Sequence, residues 1–260
     1  MKDGKGEKNS GKREEGTKER EMGNGKWEKG ESALSLSFSH SLFPLPSSHF
    51  PFPVFRIPIS LFPLPSPILC MPLSSRFDAA YQYASRLHHD QLRKGSTIPY
   101  LSHLLAVAAI VIENGGTEDQ AIAALLHDAV EDQPRDGQTE SEIGAQFGAA
   151  VRRMVLALSD ATGHPKPPWC DRKKAYLEHL KDEPADVLLV SLADKLHNAR
   201  SILADYYEVG DAIWQRFNAG RKDLLWYYRE LVETFADTDE DLPRGLLDEF
   251  DRVVTELEDG

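Results

Sequence analysis

The chain has 260 residues, enough for one medium domain or two small ones. Its 30 basic and 42 acidic side chains give a formal charge of −12, spread unevenly: residues 1–70 hold 10 basic and 8 acidic groups, which leaves 20 against 34, or −14, for the rest. So acidic a body repels polyanions and argues against nucleic-acid binding, yet a metal ion and a few cations in a cleft can still favour a small phosphorylated ligand.

Residues 1–31 are nearly all Lys, Glu and Gly, too polar to offset chain entropy, and read as disordered. From Ser32 to Pro72 the composition turns to Ser, Pro, Phe and Leu, with proline breaking every window that could form a membrane-spanning helix. No compact signal-peptide core lies near the N-terminus. Residues 1–70 are therefore expected to be a low-complexity extension, read as non-native, upstream of a start at Met71. The alternative is a Pro-rich docking or targeting segment. Residues 71–260 are expected to be one domain. Two cysteines, Cys70 and Cys170, offer neither a disulfide framework nor a thiolate metal site, which fits a reducing, cytoplasmic setting.

Beyond Met71 the periodicity predicts nine helices and no strand. The first covers Ser75 to Leu92. The second runs from Tyr100 to Glu113 and stops at Gly115-Gly116. The third opens on Thr117 with a capping box to Gln120 and continues through Asp132. A second box, Thr139 to Glu142, starts a helix ending near Gly148, and another spans Ala149 to Leu158. After the breaker-rich "ATGHPKPPWC", helices are expected at Asp171–Lys181, Pro184–Asp205, Asp211–Ala236 and Pro243–Leu257, with Pro184 in a first turn.

The third helix, "EDQAIAALLHDAVED", concentrates His127, Asp128, Glu131 and Asp132 within an arc of roughly 140°. No Lys or Arg lies between Glu118 and Asp132 to pair with them, so these carboxylates call for an external cation. "ADVLLVSLADKLHNARSIL" is apolar on most sides but carries a polar stripe of Ser191, Asp194, Asn198 and Ser201. A buried Asp costs several kcal/mol unless it is paired or binds metal. His103 stands alone among apolar residues at the start of its helix. Singly, His103 reads as a hydrogen-bonded core histidine, and Asp194 with Asn198 as a brace between helices. Together the residues supply imidazoles and carboxylates from three helices, a set that suits an octahedral divalent ion: Mn²⁺ or Fe²⁺ as well as Zn²⁺. Lys195 and His197 fall on other sides of their helix than the stripe. The aromatic-basic run "WQRFNAGRKDLLWYYRELVETF" reads as core plus a solvated face, or as a subunit interface in a homo-oligomer.

These segments, "YLSHLLAVAAIV … AALLHDAVED … LADKLHNAR", resemble the hydrolase domain of the RelA/SpoT alarmone enzymes, especially the stand-alone small hydrolases, over about Arg76 to Leu203. The resemblance implies an all-α HD-domain bundle of about eight or nine helices around a central divalent-metal site. It implies metal ligands at His103, His127, Asp128 and Asp194, and water-activating carboxylates at Glu131 and Asp132. Substrate contacts would fall on Arg93, Lys94 and Asn198. The implied ion is Mn²⁺, and the implied reaction removes the 3′-pyrophosphate of (p)ppGpp. Two departures stand out: Leu104 follows the first histidine in place of the usual proline, and "GSTIPY" follows Arg93-Lys94. Too few residues are expected after the core for a synthetase domain. Rival readings are a phosphohydrolase of the same fold acting on another nucleotide or on NADPH, and a non-catalytic alarmone sensor. None of these readings expects a nucleic-acid or membrane partner.

Overall fold

The computed structural model describes residues 73–159 and 167–260; the extension expected at 1–70 and most of the breaker-rich loop before Trp169 lie outside them. Ten α-helices follow one another among the described residues: α1 (Ser75–Leu87), α2 (Leu101–Glu113), α3 (Glu118–Leu126), α4 (Ala129–Asp132), α5 (Gln138–Phe147), α6 (Ala149–Leu158), α7 (Trp169–Leu180), α8 (Ala185–Val209), α9 (Arg221–Ala236) and α10 (Arg244–Asp259). Since α3 and α4 are two halves of one predicted segment, they correspond to the nine expected helices. The one extended pairing in these residues is an isolated bridge between Leu92 and Pro99. The all-α expectation holds.

Two helices form the centre. From Gln120 to Leu126 every residue of α3 is buried, and α1, α2, α6 and α8 pack around it. The other is α8, whose 25 residues span about 37 Å. It buries Val187 through Asp194 without interruption and carries α2, α3, α6, α9 and α10 against it. One hydrophobic cluster joins all these elements. The 187–194 stretch has no solvent side, so any polar residue within it must find a partner inside the protein.

The α2–α3 connection is set by local chemistry. At Thr117 the capping box forms as predicted, with Thr117 accepting from the Gln120 amide and Gln120 from the Thr117 amide. Gly116 donates its N–H to Val111 O at 2.9 Å, and a Cβ there would lie 2.4 Å from Val111 Cγ1. Only glycine lets the chain turn so close to α2.

Several predicted boundaries shift. The first helix ends at Leu87, and residues 88–99 make the turn that carries Arg93 and Lys94. Thr139 does not cap α5: its hydroxyl bonds back to Gln133 O, and Gly137, at φ +84°, is the N-cap. Pro184 is the N-cap of α8 rather than a first-turn residue. The predicted 211–236 helix divides into a 3₁₀ segment, Gly210–Arg216, and α9 beyond Gly220. We expect Thr117→Ala to lower stability by about 1 kcal/mol in chemical denaturation. Gly116→Ala should cost more, because its Cβ overlaps Val111. Unchanged midpoints in both would show that this turn does not hold the α2–α3 pair.

Candidate metal centre and adjoining cleft

The centre lies where the start of α2, the end of α3 and the middle of α8 meet. Immediately after Leu126 the predicted 118–132 helix loosens, and His127 and Asp128 occupy the joint before α4. The backbone stays right-handed there, with Asp128 at φ −93°, ψ −2°. His127 Nδ1 lies 2.8 Å from Ala124 O. A carbonyl can only accept, so Nδ1 carries a proton and Nε2 is the nitrogen turned to the centre. That buried Nε2 has no hydrogen-bond partner; Asp128 Oδ2 is 2.8 Å away but lacks the alignment of a hydrogen bond, and Asp194 Oδ1 lies at 3.6 Å.

His103 Nε2 comes from the first turn of α2 to 3.1 Å from Asp194 Oδ1 and 3.8 Å from Asp128 Oδ2. One ligand atom each from His103, His127 and Asp194 lies within 4.8 Å of the others. A divalent ion bound at about 2.0–2.2 Å would hold neighbouring donors about 3 Å apart. Two imidazole nitrogens and two carboxylates, one nitrogen orphaned and aimed inward, fit such an ion. Of the four predicted metal residues the structure gathers His103, His127 and Asp194 into one group, and Asp128 stands beside it, next to the two histidines.

The surroundings fix each donor. His103 Nδ1 is 2.8 Å from His197 Nδ1. Burial first, then the neighbouring His103 and Arg93, push the His197 imidazole down to about 4, so it is neutral and can accept a proton donated by His103. His103 then presents Nε2 to the centre. Tyr100 donates to Asp128 Oδ2 at 2.5 Å. Asp194 receives two hydrogen bonds of 2.6 Å, from Lys195 Nζ on Oδ2 and from Asn198 Nδ2 on Oδ1. Burial alone would raise the Asp194 carboxyl, but Lys195 and the two histidines outweigh it and hold it well below the usual carboxylate range. For His127, burial opposes charge, yet Asp128 and Asp194 reverse the balance and raise its basicity well above normal. Two ionised carboxylates thus face the two imidazoles inside a helical core.

Glu131 and Asp132 occupy the last two positions of α4, one helical turn beyond His127 and Asp128. Asp132 accepts from Gln91 Nε2 at 2.7 Å, and Gln91 Oε1 in turn meets His88 Nδ1 at 2.7 Å. Because Gln91 spends its amide on Asp132, its oxygen accepts from His88. A buried histidine thus steadies one of the two predicted water-activating carboxylates.

Beside the centre opens a cleft of about 530 Å³. Arg93, Lys94, Lys173, Lys195 and Arg216 line it, with Asp205 the one acidic side chain among its lining residues. That carboxylate is already engaged by Arg216 at 2.6 Å. The cleft is therefore cationic in a body of the opposite sign, which concentrates small anions. Arg93 Nη2 donates to Asn198 Oδ1 at 3.1 Å, so the predicted substrate residues Arg93 and Asn198 touch each other and, through Asn198, Asp194. Lys94 is at the exposed rim, 3.3 Å from Asn218 Oδ1.

From sides of α8 off the stripe, Lys195 and His197 support the ligands: one contacts Asp194, the other His103, and both line the cleft. One expectation needs correction. The aromatic-basic run is not merely core and solvated face, since Ile213, Arg216, Phe217, Leu224, Tyr227 and Tyr228 form a cleft wall. Tyr100, Gln91 and Lys173 also escaped the motif reading. Tyr100 could have been found as a polar residue one helical turn ahead of His103.

Residues 80–225 match the model of the HD domain. The chain belongs to the HD domain family. Its HD region is similar to guanosine-3′,5′-bis(diphosphate) 3′-pyrophosphohydrolase MESH1 of Xenopus tropicalis, with 40% identity over 126 residues, covering 47% of this chain and 67% of the relative. The Homo sapiens protein of the same name is 38% identical over the same coverage. Among solved structures, a metazoan ortholog of SpoT that hydrolyses ppGpp and plays a role in starvation responses superposes with a TM-score of 0.59 at 23% identity. The match spans 72% of this chain and 97% of that one, and it supports the HD fold itself. No helix among the described residues is long and apolar enough to cross a membrane.

We expect His197→Phe, which removes the acceptor for His103, to weaken divalent-metal binding by about 10- to 100-fold. His197→Gln should lose less. Equal metal affinity in all three proteins, by calorimetric titration, would show that His197 does not orient His103.

Proposed function

We propose that this HD-domain chain is a metal-dependent guanosine-3′,5′-bis(diphosphate) 3′-pyrophosphohydrolase, converting (p)ppGpp to GDP or GTP and pyrophosphate. The observation that carries this reading is the convergence of His103, His127, Asp128 and Asp194 at the edge of a cation-lined cleft. The relatives at about 40% identity are named for this activity.

In this reading His103, His127, Asp128 and Asp194 hold the ion, Mn²⁺ by resemblance to the alarmone hydrolases. When bound, the ion supplies Lewis acidity, which lowers the pKa of water and polarises a phosphoryl oxygen. Glu131 and Asp132 orient the attacking water and take its proton. Water adds to the phosphorus next to the 3′ oxygen, the bond between them breaks, and that oxygen leaves to be protonated on the nucleoside. Arg93, Lys94 and Asn198 bind the nucleotide. Lys195, held by Asp194 and only 13% exposed at its side chain, adds a desolvated positive charge close to the reacting phosphate. The catalytic domain is taken as residues 71–260 and the setting as cytoplasmic.

Pyrophosphate release from ppGpp should require Mn²⁺ and stop with chelator. His127→Ala and Asp194→Ala should lose both metal binding and turnover. Glu131→Ala should keep the metal and lose at least about 100-fold in kcat. A fully active Asp194→Ala variant would overturn the site assignment.

A further inference from the structure

On α9, Tyr227 is 4% exposed and forms part of the cleft wall. Its hydroxyl is buried without a hydrogen-bond partner among the described residues. Three other tyrosines are satisfied: Tyr100 by Asp128, Tyr83 by Glu142, and Tyr176 by Ser191 at 2.8 Å. A buried hydroxyl without a hydrogen bond destabilises the fold, and phenylalanine would fill the same space without that cost. The ring is well held. Trp169 meets it edge-on at 5.8 Å, and the Lys173 ammonium stands 5.0 Å from its centroid.

The surroundings indicate what would satisfy this hydroxyl. Lys195 is the charge that acts on it most strongly, Asp194 acts more weakly, and Lys173 covers its face. Burial keeps the phenol protonated, well above its ordinary range. A neutral donor that feels the Lys195 charge, on a ring whose face Lys173 covers, matches an anionic oxygen, and the same cleft carries Arg93, Lys94 and Arg216.

We propose that the Tyr227 hydroxyl is a substrate-binding donor to a phosphate oxygen, acting beside Lys195 and Lys173, and that the nucleotide's phosphates complete a hydrogen bond the protein leaves open. The proposal rests on the cleft being the site of a phosphorylated ligand, as in the function proposed above. It assigns a contact to a segment whose sequence pattern reads as core.

The test compares the full-length protein with Tyr227→Phe by four measurements: thermal midpoint, Mn²⁺ affinity, calorimetric affinity of the manganese-loaded protein for inorganic pyrophosphate, and kcat/KM on ppGpp. The variant should keep or raise the midpoint, because an orphaned hydroxyl is removed, and should bind Mn²⁺ within twofold of the parent. Pyrophosphate affinity or kcat/KM should fall by about 10- to 100-fold, the value of a hydrogen bond to a charged group. Unchanged values for both phosphate readouts would overturn the proposal. So would a lowered midpoint with lost Mn²⁺ binding, since the hydroxyl would then be structural, and so would failure of the parent to bind either phosphate probe. A parent that binds pyrophosphate but does not turn over ppGpp would sink the proposed reaction, while the comparison of pyrophosphate affinities would still decide the role of Tyr227.

Discussion

The structure depends on a pair of carboxylates, Asp128 and Asp194, held against two histidines at the junction of α2, α3 and α8. Asp194 ends the continuously buried stretch of α8, where a lone charge would cost several kcal/mol. The protein meets that cost with a lysine and an asparagine at 2.6 Å and a histidine nitrogen at 3.1 Å. Even so, His127 Nε2 is left without a hydrogen bond. A core optimised only for packing would not keep such a group; a divalent ion gives it a purpose.

The same constraint organises the next layer of contacts. Ala124 O and His197 each accept a hydrogen bond from Nδ1–H of one histidine, so both turn Nε2 to the centre. Tyr100 steadies Asp128, and Gln91, backed by His88, steadies Asp132. Arg93 and Asn198 link the centre to the cleft, where cations gather despite the −14 charge of the body. A strongly acidic domain thereby carries a local cationic cleft of the sign that a multiply charged phosphate would need.

Much of this was legible in the sequence because the informative residues are wrong for their surroundings. Four acidic or imidazole groups on a cation-free helix face, and an Asp within "LLVSLADKL", stand out against apolar periodicity. The fold followed from helical spacing and from one true capping box at Thr117. Other features were hidden for physical reasons. Helical-wheel reasoning gives a helix one polar face, but other elements pack around the middle of α8, so Lys195 and His197 reach the site from sides that the stripe does not mark. Thr139 resembles an N-cap, yet its hydroxyl is taken by Gln133 O and the turn is made by Gly137. Tyr227 belongs to an aromatic run that looks like core and is core, apart from one hydroxyl. Periodicity reports which residues are buried, not which buried atoms lack a partner.

The central claim is that this centre directs water to the phosphorus attached to the 3′ oxygen. Product analysis of ppGpp turned over by manganese-loaded protein in ¹⁸O-water tests it most directly. The account predicts GDP and pyrophosphate in equal amounts, with the heavy oxygen in pyrophosphate. Release of orthophosphate, or label in GDP, would contradict it.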